Sequence, residues 1–471
     1  MDKNKITFIT LIIVLIWHIF IFLKLPHLTW LPGFLNTWFT DQGLILYKDL
    51  VDPHFPLSYV IMYPFLKITN WHFETDPILA LAVALSSCWG IYYFGRKILS
   101  PLSIMIALFF FSVFYWYFST WVQISQEGIQ GLLTIPLVFF LLKLPHKLNS
   151  TSTLLFGVYI IILGLMGQII TPLIITALAI FIYFHRSHLV SLIIGLSIPI
   201  ALISLYFLYQ GAFYDFFFWN IPYYLTYANL NQTTTGSLPW LDILAFFLPV
   251  LLLFILLLTK ISKVPTIILL LLSLSTVPMI IFSVFHPHHF LFALPLLSIS
   301  AGYALPKLIK ISHFNLLTFI ITISVVFYIT TYTIPWLTSK FIPGWNPKIL
   351  TAEKDPKQQE AIDWLKINTD LNIKILVAGD PLFYFRSERL PANNRFTVLP
   401  WHYLPLDQTQ KVMVEKPPIF WVIDKNYRER LISGWKTPQI DEFIKNELIC
   451  YKMVFENSEW EIWQKTCLKD S

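Results

Sequence analysis

Residues 41–57, DQGLILYKDLVDPHFPL, bring three carboxylates and an imidazole together: Asp41, Asp49, Asp52 and His54. Carboxylates grouped in this way can hold a divalent cation or accept the proton of a hydroxyl nucleophile. A plainer role is open to them too, because an exposed loop must be polar somewhere and Asp-Pro is an ordinary turn signal. A further acid, Glu127, is the only one in STWVQISQEGIQG (119–131). An ionisable group beside long apolar runs is costly and therefore a functional candidate, against the alternative of a solvated glutamate next to Gly128. The third group is HPHHF (286–290), with His286, His288 and His289. Neutral imidazole ligates metals and protonated imidazole binds phosphate, while a histidine at an interface also serves as an amphipathic anchor. Asp215 lies in a run of Phe, Trp and Tyr, where an aromatic interfacial belt is the expected explanation.

The elements that must position these residues are apolar. Of the 471 residues 56% are hydrophobic and 13% charged, about half the charged share of a soluble domain. Runs suited to crossing a bilayer occur near 6–24, 77–95, 101–118, 129–143, 153–167, 169–184, 189–209, 239–259, 264–284, 290–306 and 314–334. Basic residues stay on the cytoplasmic side. With Lys3 and Lys5 inside, Arg96, Lys97, Lys143, Lys147, Arg186, Lys260, Lys263, Lys307 and Lys310 all fall inside as well. The opposite connections at 119–128, 210–238 and 285–289 hold no Lys or Arg. Lys48 and Lys67 lie in a long outer loop, 25–76, and long loops translocate largely regardless of charge. The first run reads as a signal anchor, since no small-residue cleavage site follows it.

The expected fold is thus a polytopic α-helical membrane protein of about eleven transmembrane helices with a C-terminal extracytoplasmic α/β domain. Its expected domains are 1–337 in the membrane, including outer loop 25–76, and 338–471 outside. FIPGWNPKIL (341–350) supplies the Pro and Gly of a linker. In the tail, Asp355 followed by Pro356 predicts a capped helix with Ala361, Ile362 and Leu365 on one face. IKILVAGD (373–380) and PPIFWVID (417–424) predict buried strands, PQIDEFIKNEL (438–448) a helix, and the last stretch a hairpin turning near Asn457. PLSYVIMYPFLKI (56–68) is short and Pro-interrupted, so it predicts a helix lying at the membrane interface. A disulfide between Cys450 and Cys467 is open to an extracytoplasmic tail. The net charge of +6 is spread over inner loops and tail, which suits topology and anionic lipid rather than nucleic acid.

The chain has no Walker loop, no GxSxG elbow and no HExxH, so nucleotide-driven transport and standard hydrolase or zinc-protease sites find no support. The arrangement resembles the GT-C class of membrane glycosyltransferases, which includes protein mannosyltransferases, aminoarabinose lipid A transferases and Rgt-type galacturonosyltransferases. The resemblance covers about 1–335 and rests on Asp41-Gln42, Tyr47-Lys48-Asp49 and His54-Phe55-Pro56-Leu57, on Glu127 between the third and fourth spans, and on the outer tail. Members of that class typically carry Asp-Glu, Tyr-x-Asp and Lys-Pro-Pro-Leu in the first outer loop. Gln42 therefore replaces the second acid, and His54 stands where a phosphate-contacting lysine is usual.

The resemblance implies transfer of a sugar from a polyprenyl-phosphate-linked donor to a lipid, glycan or protein acceptor of the cell envelope, outside the plasma or inner membrane. By the same resemblance Asp41 is the expected base and Glu127 a second acceptor-side or metal-side acid. His54 is the expected phosphate contact, with Asp49, Asp52, His288 and His289 as further substrate-binding candidates and a divalent cation as the cofactor such groups would suit. A transporter or lipid flippase is the rival reading, and it would place polar residues near mid-membrane on broken helices. Here they cluster at the outer boundary. A sensor or assembly protein acting through its tail would make Asp41 and Glu127 dispensable.

Overall fold

A single run of apolar residues in lipid satisfies its own backbone by turning into helix, and among the described residues the chain is helical where such runs occur. The computed structural model describes residues 3–23, 31–52, 54–119, 123–143, 148–223, 240–259, 263–282, 287–310, 355–394, 411–413, 415–433 and 438–467. In chain order the first ten α-helices are α1 (Lys3–Phe22), α2 (Leu31–Asp41), α3 (Leu57–Ile68), α4 (Thr75–Gly95), α5 (Pro101–Ser119), α6 (Gln126–Leu141), α7 (Ser150–Gly164), α8 (Thr171–His185), α9 (Leu189–Tyr209) and α10 (Phe213–Asn220). Helices Trp240–Leu258, Lys263–Phe282 and Leu294–Ile309 follow, the last preceded by a 3-10 segment, Pro287–Phe292.

Among the described residues four stretches are long and apolar enough to cross a membrane: Lys5–Phe22, Thr75–Gly95, Pro101–Ser119 and Gln168–Tyr209. Shorter apolar helices include Gln126–Leu141, Ser150–Gly164 and Leu294–Ile309. On α1, Ile9, Ile12, Ile13 and Ile16 are exposed, and on α9 so are Ile194, Ile198, Leu202 and Leu205. Their spacing makes continuous apolar faces, which lipid accommodates and water does not. The run at 314–334 and the linker at 341–350 lie outside the described residues.

The chain forms two compact units. One comprises Met1–Trp30, His72–Ala201 and Gly236–Thr351; the other comprises Leu31–Trp71, Leu202–Thr235 and Ala352–Ser471. In the first, helices approach to backbone contact at glycine. A Cβ on Gly302 would lie 2.2 Å from the Ser103 carbonyl oxygen, so α5 and Leu294–Ile309 touch without side chains between them. A Cβ on Gly131 would lie 2.5 Å from the Leu291 carbonyl oxygen, seating α6 on the 3-10 segment. Phe290 of that segment stacks on Phe118 with centroids 4.7 Å apart and meets Phe246 at 5.0 Å.

In the second unit the tail builds a mixed sheet of order β1-β2-β4-β3, with β1 (Ile375–Ala378), β2 (Phe420–Asp424), β3 (Tyr451–Glu456) and β4 (Trp460–Lys465). The pair β1 and β2 is parallel, with Ile375 opposite Phe420; β2/β4 and β3/β4 are antiparallel. Both strands predicted as buried are buried throughout. The helix Pro356–Asn368 begins as its sequence predicts: the Asp355 carboxylate accepts from Lys357 N at 2.9 Å, and Ala361, Ile362 and Leu365 face the core. Cys450 and Cys467 carry free thiols at the open end of the hairpin, where Cys467 N donates to Cys450 O at 3.3 Å.

Residues 31–71 pack in this same unit. Phe385, on the helix Leu382–Ser387, meets Phe34 at 5.1 Å and Trp38 at 5.3 Å, and Tyr384 meets Phe39 at 5.6 Å. These three rings of α2 recur at helical spacing, so a single face of α2 makes the contact. Val51 N also donates to Asn394 O at 3.3 Å.

The glycine contacts are directly testable. Gly302→Ala and Gly131→Ala each force a methyl into a backbone oxygen, at a cost of about 1–3 kcal/mol. We expect each to lower the thermal midpoint of the purified protein in detergent by several degrees, as read by intrinsic fluorescence. An unchanged midpoint would mean that these helices do not meet at the backbone.

Candidate functional site

In the first unit Glu127 owes its place to a helix start. Ser125 has extended backbone (φ −134°, ψ 154°) and its hydroxyl accepts from Gly128 N at 3.0 Å, which caps α6 at Gln126. The helix therefore opens earlier than the expected span at 129, and Glu127 sits in its first turn, where the exposed peptide N–H groups favour negative charge. Asp76, fully buried in the first turn of α4, accepts from Ile124 N at 2.7 Å and ties down the segment before the cap. Glu127 is itself buried, and Gln126 Nε2 donates to its Oε1 at 3.2 Å.

The 3-10 segment held against Gly131, one turn beyond Glu127, brings His288 and His289 to this carboxylate. Ligand atoms of Glu127, His288 and His289 all lie within 4.8 Å of one another, and the two imidazole rings are 4.5 Å apart at 74°. A carboxylate and two imidazoles are a donor set for Zn²⁺ or a similar divalent ion, with room for further ligands. The donor chemistry fits such a cation. His286 lies outside the described residues.

The second unit holds the acidic segment. Asp41, at the end of α2, receives the Lys67 ammonium on both carboxylate oxygens at 2.7 and 2.8 Å and the Tyr63 hydroxyl on Oδ1 at 2.8 Å. Tyr63 and Lys67 are four apart on α3 and so share a face. The hydrogen bond from Lys67 holds the Asp41 carboxyl below the usual carboxylate range, opposed by partial burial and helped by Tyr63. The same hydrogen bond raises Lys67. Asp41 is therefore an anion at neutral pH, able to orient a hydroxyl or take its proton.

Asp49 serves the loop's own backbone: its Oδ2 accepts from Ile45 N at 2.9 Å. That closes a turn in which Tyr47 takes a left-handed φ of 72°. Asp52 is only 1% exposed. Its Oδ1 accepts from His54 N at 2.8 Å and lies 2.6 Å from His54 Nδ1, while Oδ2 accepts from Asn36 Nδ2. The Tyr47 hydroxyl donates to His54 O at 2.6 Å. Tyr59 is buried beside Asp52, and burial together with that charge pushes its phenol well above the ordinary range, so it stays neutral. Asp215, on α10, lies near Lys48 and Asp49, and burial raises its carboxyl.

Each sequence candidate among the described residues thus has a defined setting. Glu127, His288 and His289 meet in one unit; Asp41, Asp49, Asp52 and His54 share the other, with Asp52 and His54 bonded. Sequence reasoning missed Lys67, Tyr63, Asn36, Tyr59 and Asp76. The i, i+4 spacing of Tyr63 and Lys67 was the one signal available, and it names a shared face without naming the acid that face meets.

No family model matches the chain, and no curated protein sequence matches it. Solved structures do match over nearly its whole length. ArnT from Cupriavidus metallidurans bound to undecaprenyl phosphate is 11% identical with a TM-score of 0.54, the match covering 100% of this chain and 99% of that one. The archaeal oligosaccharyltransferase AglB from Archaeoglobus fulgidus, in complex with an inhibitory peptide and a dolichol-phosphate, is 10% identical with a TM-score of 0.55, over 99% of this chain and 74% of that one. The A. fulgidus oligosaccharyltransferase tethered to an acceptor peptide gives 9% identity and a TM-score of 0.56, over 98% and 74%. Identities this low speak for the fold alone, and that fold is the one this chain shares with the ArnT and AglB structures.

Proposed function

We propose that the protein transfers a sugar from a polyprenyl-phosphate-linked donor to an acceptor outside the membrane. The observation that carries this reading is the full-length likeness to ArnT, whose structure holds undecaprenyl phosphate; AglB, which holds dolichol-phosphate, supports it. The acceptor is a lipid, glycan or protein of the cell envelope. In this reading the chain spans the plasma or inner membrane about eleven times, with the tail after about 338 on the outer side, as the distribution of Lys and Arg favours.

Asp41 is the proposed acceptor-side base. It is ionised and hydrogen-bonded by Tyr63 and Lys67, so an arriving hydroxyl meets a carboxylate already oriented. Glu127, His288 and His289 are the proposed holders of a divalent cation, which when bound would offset negative charge on a leaving phosphate. Helix α6 and the 3-10 segment, fixed against each other at Gly131, keep these three donors together. His54 is proposed to contact the donor phosphate, with Asp49 shaping its loop and Asp52 acting through it.

The reaction class is tested first by comparing lipid-linked and envelope glycans in cells with and without the gene. Accumulation of one polyprenyl-phosphate sugar together with loss of one envelope sugar is expected, and identical glycan profiles would end the proposal. Reporters active on one side of the membrane, fused after Lys340, should report the outer side; cytoplasmic activity there would reverse the topology.

The metal set makes a separate prediction. Glu127→Gln and His288→Ala should each lower Zn²⁺ or Mn²⁺ affinity of the purified protein by about tenfold or more, measured by calorimetry after chelation. Equal affinity in parent and variants would remove the cation from this cluster.

Asp41 gives a pH prediction whose sign follows from its partners. Its folded-state pKa is lowered, so the contribution of the charged carboxylate is complete above the ordinary value of about 3.9 and is lost only as pH falls through the depressed one. Lys67, raised, keeps its charge beyond about pH 10. Transfer should therefore show no Asp41 titration between about pH 5 and 9. Lys67→Met should move the acid limb of kcat/KM upward, and Asp41→Asn should cost about a hundredfold or more at every pH. An acid limb that Lys67→Met leaves in place would exclude Asp41 as its source.

A further inference from the structure

We propose that Asp52 is a positioning residue which holds the proton on His54 Nδ1 and stabilises the imidazolium, so that His54 offers Nε2–H to the donor phosphate as a pH-gated cation. This rests on the reading that His54 meets that phosphate. It goes beyond it by assigning the second member of the pair, the protonated nitrogen and the pH response.

The geometry carries the assignment. Asp52 is almost wholly out of water, whereas the His54 side chain is 23% exposed. An ionised carboxylate has no proton to give, so in a 2.6 Å contact the hydrogen must sit on Nδ1. Nδ1 is then committed, and any ligand bound by the ring meets Nε2. The carboxylate is built to stay where it is. His54 N donates to its Oδ1 at 2.8 Å and Asn36 Nδ2 to its Oδ2, tying it to α2 on one side and to the residue it orients on the other. The Tyr47 hydroxyl on His54 O, at 2.6 Å, holds the backbone of the histidine from a third direction.

Among the described residues, charged and titratable groups are placed around this pair from three elements. From the loop come Asp52 itself, Lys48, Asp49 and Tyr47, and from α3 comes Tyr59, buried and neutral. From α10 comes Asp215, whose neighbouring charges are Lys48 and Asp49; Phe216 of the same helix packs on Tyr47 at 5.3 Å and on Phe55 at 6.4 Å. Asp52 is the carboxylate in contact with the ring. A carboxylate at such range favours the charged imidazole. A lysine in this position would stay charged throughout. A histidine clamped by Asp52 is instead cationic near neutrality and releases its charge as pH rises.

Two readouts on the purified full-length protein separate this proposal from the reading beneath it. Diethyl pyrocarbonate acylates unprotonated imidazole, so peptide mass spectrometry gives a pH midpoint for His54 without any ligand. The parent midpoint should lie above about 6.5, fall by about one unit in Asp52→Asn and be restored in Asp52→Glu. A parent midpoint at or below about 6.5 would overturn the proposal even if Asp52→Asn does not fold. Binding of undecaprenyl phosphate from pH 5.5 to 8.5 is the second readout. Parent affinity should fall as pH rises; Asp52→Asn should lose about threefold at pH 7 and little below pH 6. His54→Lys should bind evenly across the range, and Asp52→Asn added to it should change nothing. An equal loss at every pH in Asp52→Asn, or the same loss in the His54→Lys background, would show a merely structural role and sink the proposal. If His54→Ala binds undecaprenyl phosphate like the parent at every pH, the phosphate contact fails and the gate with it, whatever the acylation midpoints show about the pair.

Discussion

A carboxylate removed from water must be met by donors, and the organisation of the acidic segment follows from how Asp52 meets this demand. Leaving such a charge unpaired would cost several kcal/mol. Its donors come from both sides of the turn: Asn36 on α2, and His54 just ahead of α3. The bonds therefore fix not only a loop but the approach of the two helices that flank it. Only with that approach fixed can Tyr63 and Lys67 on α3 reach Asp41 at the end of α2. The exposed ion pair adds little stability by itself. What it does is set the charge and direction of a carboxylate that the buried network has already placed.

The Glu127 cluster is held by other means. Here the fixing elements are a serine cap, a buried Asp76 that grips Ile124 N, and a glycine that lets α6 rest on Leu291 O. Steric closeness is the stricter of the two devices, because a methyl group is enough to disturb it. Polar networks such as that around Asp52 tolerate small shifts in position but depend on every partner being present. The two units thus hold their candidate residues with different sensitivities, one to volume and the other to hydrogen-bonding capacity.

Much of this was legible in the residues. Asp355-Pro356 announced a capped helix; the apolar strands around Leu376 and Val422 and the turn at Asn457 were plain from pattern; and a short helix does form over 57–68. Asp41, Glu127 and His54 stood out as polar groups in an apolar chain. What local pattern could not supply was pairing. Asp41 and Lys67 are 26 residues apart, and Asp76 and Ile124 are 48 apart, distances over which neither periodicity nor turn chemistry constrains contact. Lys67 read as a tolerated exception to the charge rule because its role depends on a helix that returns to α2. Phe34 and Trp38 read as ordinary apolar residues because their partner, Phe385, lies in the tail.

The sheet of the tail has a bearing on life in a crowded membrane. Its β1 edge is closed by the chain itself, since Ile375 N donates to Leu390 O and Ala392 N to Ile375 O, while among the described residues no strand pairs with the outer edge of β3. An open strand invites the same strand of a neighbouring molecule, and proteins confined to a bilayer with one orientation meet their neighbours repeatedly at matching heights. On β3 the register breaks between Met453 and Phe455, and Lys452 and Glu456 are exposed. A kinked, charged margin cannot continue a flat ladder. Two copies can thus collide side by side without fusing their sheets.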